Sequence, residues 1–105
     1  MLITTTSTIE AKKIDYLGLV STEIVTGVNV FKDMFAGIRD FVGGRTRSYE
    51  SELAKAKEKV LRELEVMAME KGANAIIGLD LDFEVLGKNN SMLMITATGT
   101  AVKVF

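Results

Sequence analysis

The stretch from Ser48 to Lys71 constrains the fold more than any other part of the chain. Leu53, Ala56, Val60, Leu64, Met67 and Lys71 recur at three- and four-residue steps, and Ala54, Lys57, Leu61 and Ala68 widen the stripe. The opposite face carries Glu52, Lys55, Glu58, Lys59, Arg62, Glu63 and Glu65. Apolar residues at that spacing form one side of an amphipathic helix, which needs a surface to lie on. Thr46 and Ser48 are the N-cap candidates, and Glu50 and Glu52 are expected in the first turn, where the helix dipole favours acids. Gly72 stands where a C-terminal cap is expected. Glu58 and Arg62 are spaced for an i, i+4 ion pair, worth about 0.2–0.5 kcal/mol.

The surface comes from the strand-like segments. Leu2 to Thr5 reads as a short edge strand and Ile14 to Thr26 as a long one. The long strand shows Ile14, Tyr16, Gly18, Val20, Thr22 and Ile24 on one face and Leu17, Leu19, Ser21 and Val25 on the other. Both faces are largely apolar, so both are expected to be covered. From Ala75 to Leu86, Ile77, Leu79, Leu81, Phe83 and Val85 alternate with Asp80, Asp82 and Glu84. Gly87 to Ser91 makes a hairpin turn, and Met92 to Val104 returns as the partner strand. On that strand the Leu93, Ile95, Ala97, Gly99, Ala101 face tapers to small residues, which lets a helix approach closely. Between the first long strand and the long helix, Phe31, Met34, Phe35, Ile38, Phe41 and Val42 predict a short amphipathic helix ended by Gly43-Gly44. The order is strands, two helices, then a hairpin. It implies an α+β domain over residues 1–105, with one long and one short helix on an antiparallel sheet.

Composition bounds what this domain can do. A chain of 105 residues is one domain with a modest core, yet 48% of it is hydrophobic. Its mean hydropathy of +0.23 is high for a small monomer, so part of the apolar surface is expected to face another subunit. A net charge of −1 provides no basic field for nucleic acid. With no Cys and no His there is no disulfide, thiolate or imidazole chemistry, and no Ser-His-Asp triad. The first residues lack the basic start and apolar core of a signal peptide, and the longest uncharged stretch, Asn89 to Val102, is too short and Thr-rich to span a bilayer. A cytoplasmic location without membrane contact is the default expectation.

Two groups of residues suggest binding chemistry. Gly43-Gly44-Arg45-Thr46-Arg47-Ser48 combines backbone N–H groups at a helix start with two guanidinium groups and two hydroxyls, a set suited to a phosphate or carboxylate. Arg39, Tyr49 and Glu50 stand close enough in sequence to join it. The plainer reading is a helix–helix connector, since the spacing matches no phosphate-binding fingerprint. Asp80, Asp82 and Glu84 form a carboxylate ladder. Alternate residues on a strand lie about 6.5–7 Å apart, too far for one ion in a single chain. Carboxylates from several subunits around an axis would bring the donors that a hard divalent cation requires. The plainer reading is a solvated strand face. A carboxylate- or lysine-based enzyme is the third alternative, which no motif supports. The cofactor stays unassigned, and the methionine pairs Met67/Met69 and Met92/Met94 read as packing filler.

Several of these residues carry a family resemblance. Gly18 through Gly27, Phe35 through Arg45, Tyr49-Glu50, Gly72 through Asp80, Asp82-Phe83-Glu84, Ser91 through Met94 and Gly99 through Val102 together resemble the YbjQ-like proteins, in order along essentially the whole chain. The resemblance implies a small, cytoplasmic, functionally uncharacterised protein that assembles as a homo-oligomeric ring, usually a pentamer. It also implies an antiparallel sheet packed on helices, and it brings the label "putative heavy-metal-binding". The family's glycine, arginine and tyrosine positions fall on Gly43, Gly44, Arg45 and Tyr49, with Glu50 beside them. Soft metals prefer thiolate or imidazole donors, and this chain offers only carboxylates and thioethers. The combined expectation is a ring-forming, non-enzymatic binding or structural module. The ligand candidates are a small anion at Arg39, Gly43, Gly44, Arg45, Arg47, Tyr49 and Glu50, or a divalent cation at Asp80, Asp82 and Glu84.

Overall fold

A computed structural model describes residues 1–26, 46–87 and 92–105 of the chain. Its elements are β1 (Leu2–Ile3), β2 (Ile14–Thr26), α1 (Thr46–Glu70), β3 (Ala75–Leu86) and β4 (Met92–Val104). The three long strands and the long helix stand where periodicity places them. The predicted short helix and the tip of the β3–β4 hairpin lie outside the described residues.

The sheet order is β1-β3-β4-β2. β4 is antiparallel to both β2 and β3, whereas β1 pairs with β3 in parallel. The sheet is therefore mixed, a correction to the antiparallel expectation. After β2 and α1, the chain re-enters the sheet at β3 in the direction β1 took. Thr4 N–H donates to Ile76 O at 2.9 Å, Leu79 N–H to Thr4 O at 3.0 Å and Gly78 N–H to Thr6 O at 2.8 Å. The first residues thus line the beginning of β3.

One face of the sheet carries α1. Ala56, Val60, Leu64 and Ala68 form its buried stripe against Val20, Ile76, Leu93, Ile95, Ala97 and Ala101. Each large apolar side chain so buried contributes about 1.5–3 kcal/mol relative to exposure. Leu53, Leu61 and Met67 flank the stripe at half burial, while Ala54, Lys57 and Lys71 are exposed, narrowing the expected face. The helix begins at Thr46, so its first turn contains no acid. Its end is a Schellman motif: Gly72, at φ +85°, donates to Met69 O at 2.9 Å, and Ala73 N–H donates to Ala68 O at 3.1 Å. The Thr22 hydroxyl donates to the Val60 carbonyl at 2.9 Å, tying α1 to β2.

Two register shifts alter the side-chain faces read from alternation. One lies between Tyr16 and Gly18 in β2, the other between Ile77 and Asp80 in β3, where Gly78 adopts φ +61°. The second places Ile76, Leu79 and Leu81 toward the main core. Ile77 instead joins Ala75 and Val102 in a separate cluster closed by Ile9, Ile14 and Val104. Ile77 therefore does not share a face with Leu81, because the bulge inserts one residue and reverses the alternation.

Burial is uneven. α1 packs chiefly on β2 and β4 and barely reaches β3, so Phe83 and Val85 on the helix side of β3 are 49% and 48% exposed. On the opposite face, Tyr16 and Leu19 of β2 are 69% and 71% exposed and Val25 is also exposed. The expectation that both faces of β2 are covered thus holds on one face only within a single chain. Thirteen-residue strands run about 43 Å, and the molecule is a slab of 52 × 25 × 17 Å. Its Cα radius of gyration is 16.7 Å, against about 13 Å for a compact domain of this length.

Candidate functional site

The anion-site residues divide at the edge of what is described. Arg39, Gly43, Gly44 and Arg45 lie outside the described residues. Arg47, Tyr49 and Glu50 lie in the opening turns of α1, where the structure describes the helical backbone and not the side chains. The helix backbone is described from Thr46 onward, and the first N–H groups of a helix have no partner within it.

Asp80, Asp82 and Glu84 are exposed, side by side on the sheet face opposite α1. Residues paired across a ladder share a face, so the pairings arrange that face in rows. Asp80, Thr98 and Ser21 form one row, Asp82, Thr96 and Glu23 the next, and Glu84, Met94 and Val25 the third. Glu23 is thus a fourth carboxylate on the same face, which periodicity alone did not reveal. Its position was implicit in the alternation of β2 with Ser21 and Val25, but its row partner depends on register. Glu23 and Asp82 are separated by β4, about 9–10 Å at two strand spacings. Among the described residues no three acidic groups converge to hold a metal ion.

A shallow groove of about 550 Å³ runs between α1 and β2, lined by Thr22, Lys59, Arg62, Glu63, Val66, Met67 and Glu70. Sequence patterning placed Lys59, Arg62 and Glu63 on a solvated helix face, with Arg62 as an ion-pair partner of Glu58, and gave none of them a binding role. The signal that singles out this flank is Val66, an apolar residue exposed on an otherwise charged face. The expected Glu58–Arg62 ion pair is not closed among the described residues, whereas the Met1 amino group lies 3.6 Å from Glu65.

Among the described residues, both edges of the sheet lack a neighbour over long runs. β2 is an outer strand with no described neighbour beyond it. β1 and the residues after it pair with β3 only as far as Leu79, leaving 80–86 without a described partner on that side. Unpaired backbone N–H and C=O groups along a strand recruit another strand unless covered.

Comparison with known proteins places the chain. The family model described as "Putative heavy-metal-binding" (YbjQ) matches residues 1–105. A UPF0145 protein of Clostridium botulinum strain Eklund 17B / Type B is 53% identical over 103 residues, covering 97% of each chain. A UPF0145 protein of strain Alaska E43 / Type E3 is similar to the same extent, 53% over 103 residues. Among solved structures, a Pediococcus pentosaceus ATCC 25745 protein of unknown function from the DUF74 family superposes with a TM-score of 0.75. That match covers 100% of this chain and 98% of the other at 19% identity, a likeness of fold. The chain has no Cys and no His, and among the described residues no three acidic groups converge, so the donors it offers a metal are carboxylates and methionine thioethers. A family model spanning every residue and relatives identical at more than half of their positions decide membership: the chain belongs to the YbjQ (UPF0145) family.

Proposed function

We propose that the protein is a cytoplasmic, non-enzymatic module that works as a homo-oligomeric ring, with binding sites completed between subunits. The observation that carries this reading is the pair of sheet edges without a described partner, on β2 and on 80–86 of β3, each flanked by exposed apolar side chains. Tyr16, Leu19 and Val25 on one side of the sheet and Phe83 and Val85 on the other are each about half exposed or more, a surface suited to a partner. A closed ring removes free edges altogether, and a pentamer is the size the family resemblance implies. Native mass spectrometry tests it: a discrete oligomer, five-membered on this reading, is the expected species, and a monomer at micromolar concentration overturns it.

The proposed ligand is a small anion held by Arg39, Arg45 and Arg47 with the backbone at Gly43 and Gly44, and with Tyr49 and Glu50 at its border. The support is the donor chemistry of that sequence beside the start of α1. Arg45→Ala with Arg47→Ala should abolish binding of inorganic phosphate or a small carboxylate while the oligomer persists; unchanged affinity in the intact oligomer removes this site.

A second reading is a hard divalent cation between subunits. It is favoured by the exposed row of Asp80, Asp82 and Glu84 lying along an open edge. Calorimetric titration with Mg²⁺ or Ca²⁺ should give heat with the wild type and less with Asp82→Asn. No heat from either protein disposes of it.

A further inference from the structure

Resting on the reading of the chain as a homo-oligomer, we infer which surfaces meet. Residues 80–86 of β3 in one copy add, in parallel, to the outer edge of β2 in the next. Phe83 and Val85 then seat against the groove between that copy's α1 and β2.

Direction is the first argument. β2 and β3 are both antiparallel to β4, so they run the same way. A rotation about an axis along the strands therefore carries β3 of one copy beside β2 of another as a parallel neighbour, with each sheet face kept on its own side. A twofold contact between two β2 edges would leave the β3 edges open; the head-to-tail contact pairs residues 80–86 of every copy with a β2 edge when the ring closes.

Packing is the second. α1 lies over β2 and β4 and stops short of β3. Beyond β2, its flank overhangs the groove that includes Thr22, Val66 and Met67. A strand added at that edge brings its helix-side residues under the overhang. On β3 those residues are Leu81, Phe83 and Val85, which pair with Ala97, Ile95 and Leu93 on the helix face, and Phe83 and Val85 stay half exposed among the described residues. The half-exposed apolar side chains of one edge thus meet Val66 and Met67 of the other, between the charged flank residues Lys59, Arg62, Glu63 and Glu70.

Charge opposes the contact on the far face. There Glu23 of one copy lies beside the Asp80, Asp82, Glu84 ladder of the next. Because alternate positions of β3 are all acidic, a shift of two residues in either direction from the Asp82 row still sets a carboxylate beside Glu23. Like charges side by side weaken a strand pair, so the seam should tighten as salt screens them.

The same positions supply the test, because the chain has no cysteine. Glu23→Cys is combined in turn with Asp80→Cys, Asp82→Cys and Glu84→Cys, all at exposed sites. In one chain Glu23 and Asp82 are about two strand spacings, or 9–10 Å, apart, beyond the reach of roughly 6.8 Å for a disulfide. A bond must therefore join two copies. Mild oxidation of at least one double variant should yield a ladder of covalent dimers, trimers and larger species in denaturing gels, ending at the ring size. The single variants should stop at dimers. A ladder that stops at dimers in every double variant overturns the head-to-tail seam in favour of a twofold contact. No cross-link in any pair, with an intact oligomer by native mass spectrometry, overturns the seam and leaves the assembly standing. A wild-type monomer overturns both.

Discussion

Gly99 shows how little room the core leaves at single positions. A Cβ built there would lie 2.7 Å from Ile76 Cγ2 and 3.3 Å from the Ile77 carbonyl. Gly99→Ala should therefore destabilise by about 1–3 kcal/mol, the usual cost of overpacking a filled site, seen as a lower urea midpoint at fixed protein concentration. Asn74 acts by hydrogen bonding instead. Its Nδ2 donates to Val104 O at 3.0 Å and its Oδ1 accepts from Val104 N–H at 2.7 Å, substituting for a strand at the end of β4. Asn74→Ala should cost about 1–2 kcal/mol, two modest exposed bonds, and speed hydrogen exchange at Val104 more than at Ile95. The small-residue face ending at Gly99 and Ala101 was legible in the sequence because alternation in β4 is unbroken. Ile77 was not, since a glycine inside a strand permits a bulge without announcing one. Glu23 escaped for a different reason: cross-strand neighbours are set by register, which no single strand encodes.

At the scale of elements, α1 was the most legible part of the chain, because a period of 3.6 sustained over six turns has no competing reading. Its cap was legible too, and its geometry sharpens the consequence. Gly72 sits at φ +85° with nothing within 4 Å of the point a methyl group would occupy, so substitution meets backbone strain rather than a clash. Gly72→Ala should cost about 1–2 kcal/mol, the penalty for an L-residue in left-handed conformation. Leu64→Ala, at the fully buried centre of the stripe, should cost about 2–5 kcal/mol. A smaller loss at Leu64 than at Gly72 in chemical denaturation would mean that α1 is held by its ends rather than by its face. The lateral offset of α1 toward β2 could not be read from its own pattern. It depends on which strands lie beneath, and β3 enters the sheet after the helix is made. The candidate anion site was visible only as residue types, since the side chains that would form it fall outside what the structure describes.

At the scale of the molecule, the proposed assembly would make stability depend on association. If Phe83 is buried only between copies, its truncation should hardly touch the fold of one chain yet weaken the contact to the next. Stability gained from a partner grows with protein concentration by mass action. The wild-type unfolding temperature should therefore rise as the protein is concentrated from micromolar to hundreds of micromolar. Phe83→Ala should flatten that rise and shift the oligomer toward monomer, with far-ultraviolet circular dichroism unchanged at low temperature. Leu64→Ala provides the contrast. It removes core packing within the chain, so it should lower the unfolding temperature at every concentration and keep the slope. Should Phe83→Ala instead lower stability equally at all concentrations, Phe83 would belong to the core of its own chain. The exposed edge of β3 would then need another reason for its apolar side chains.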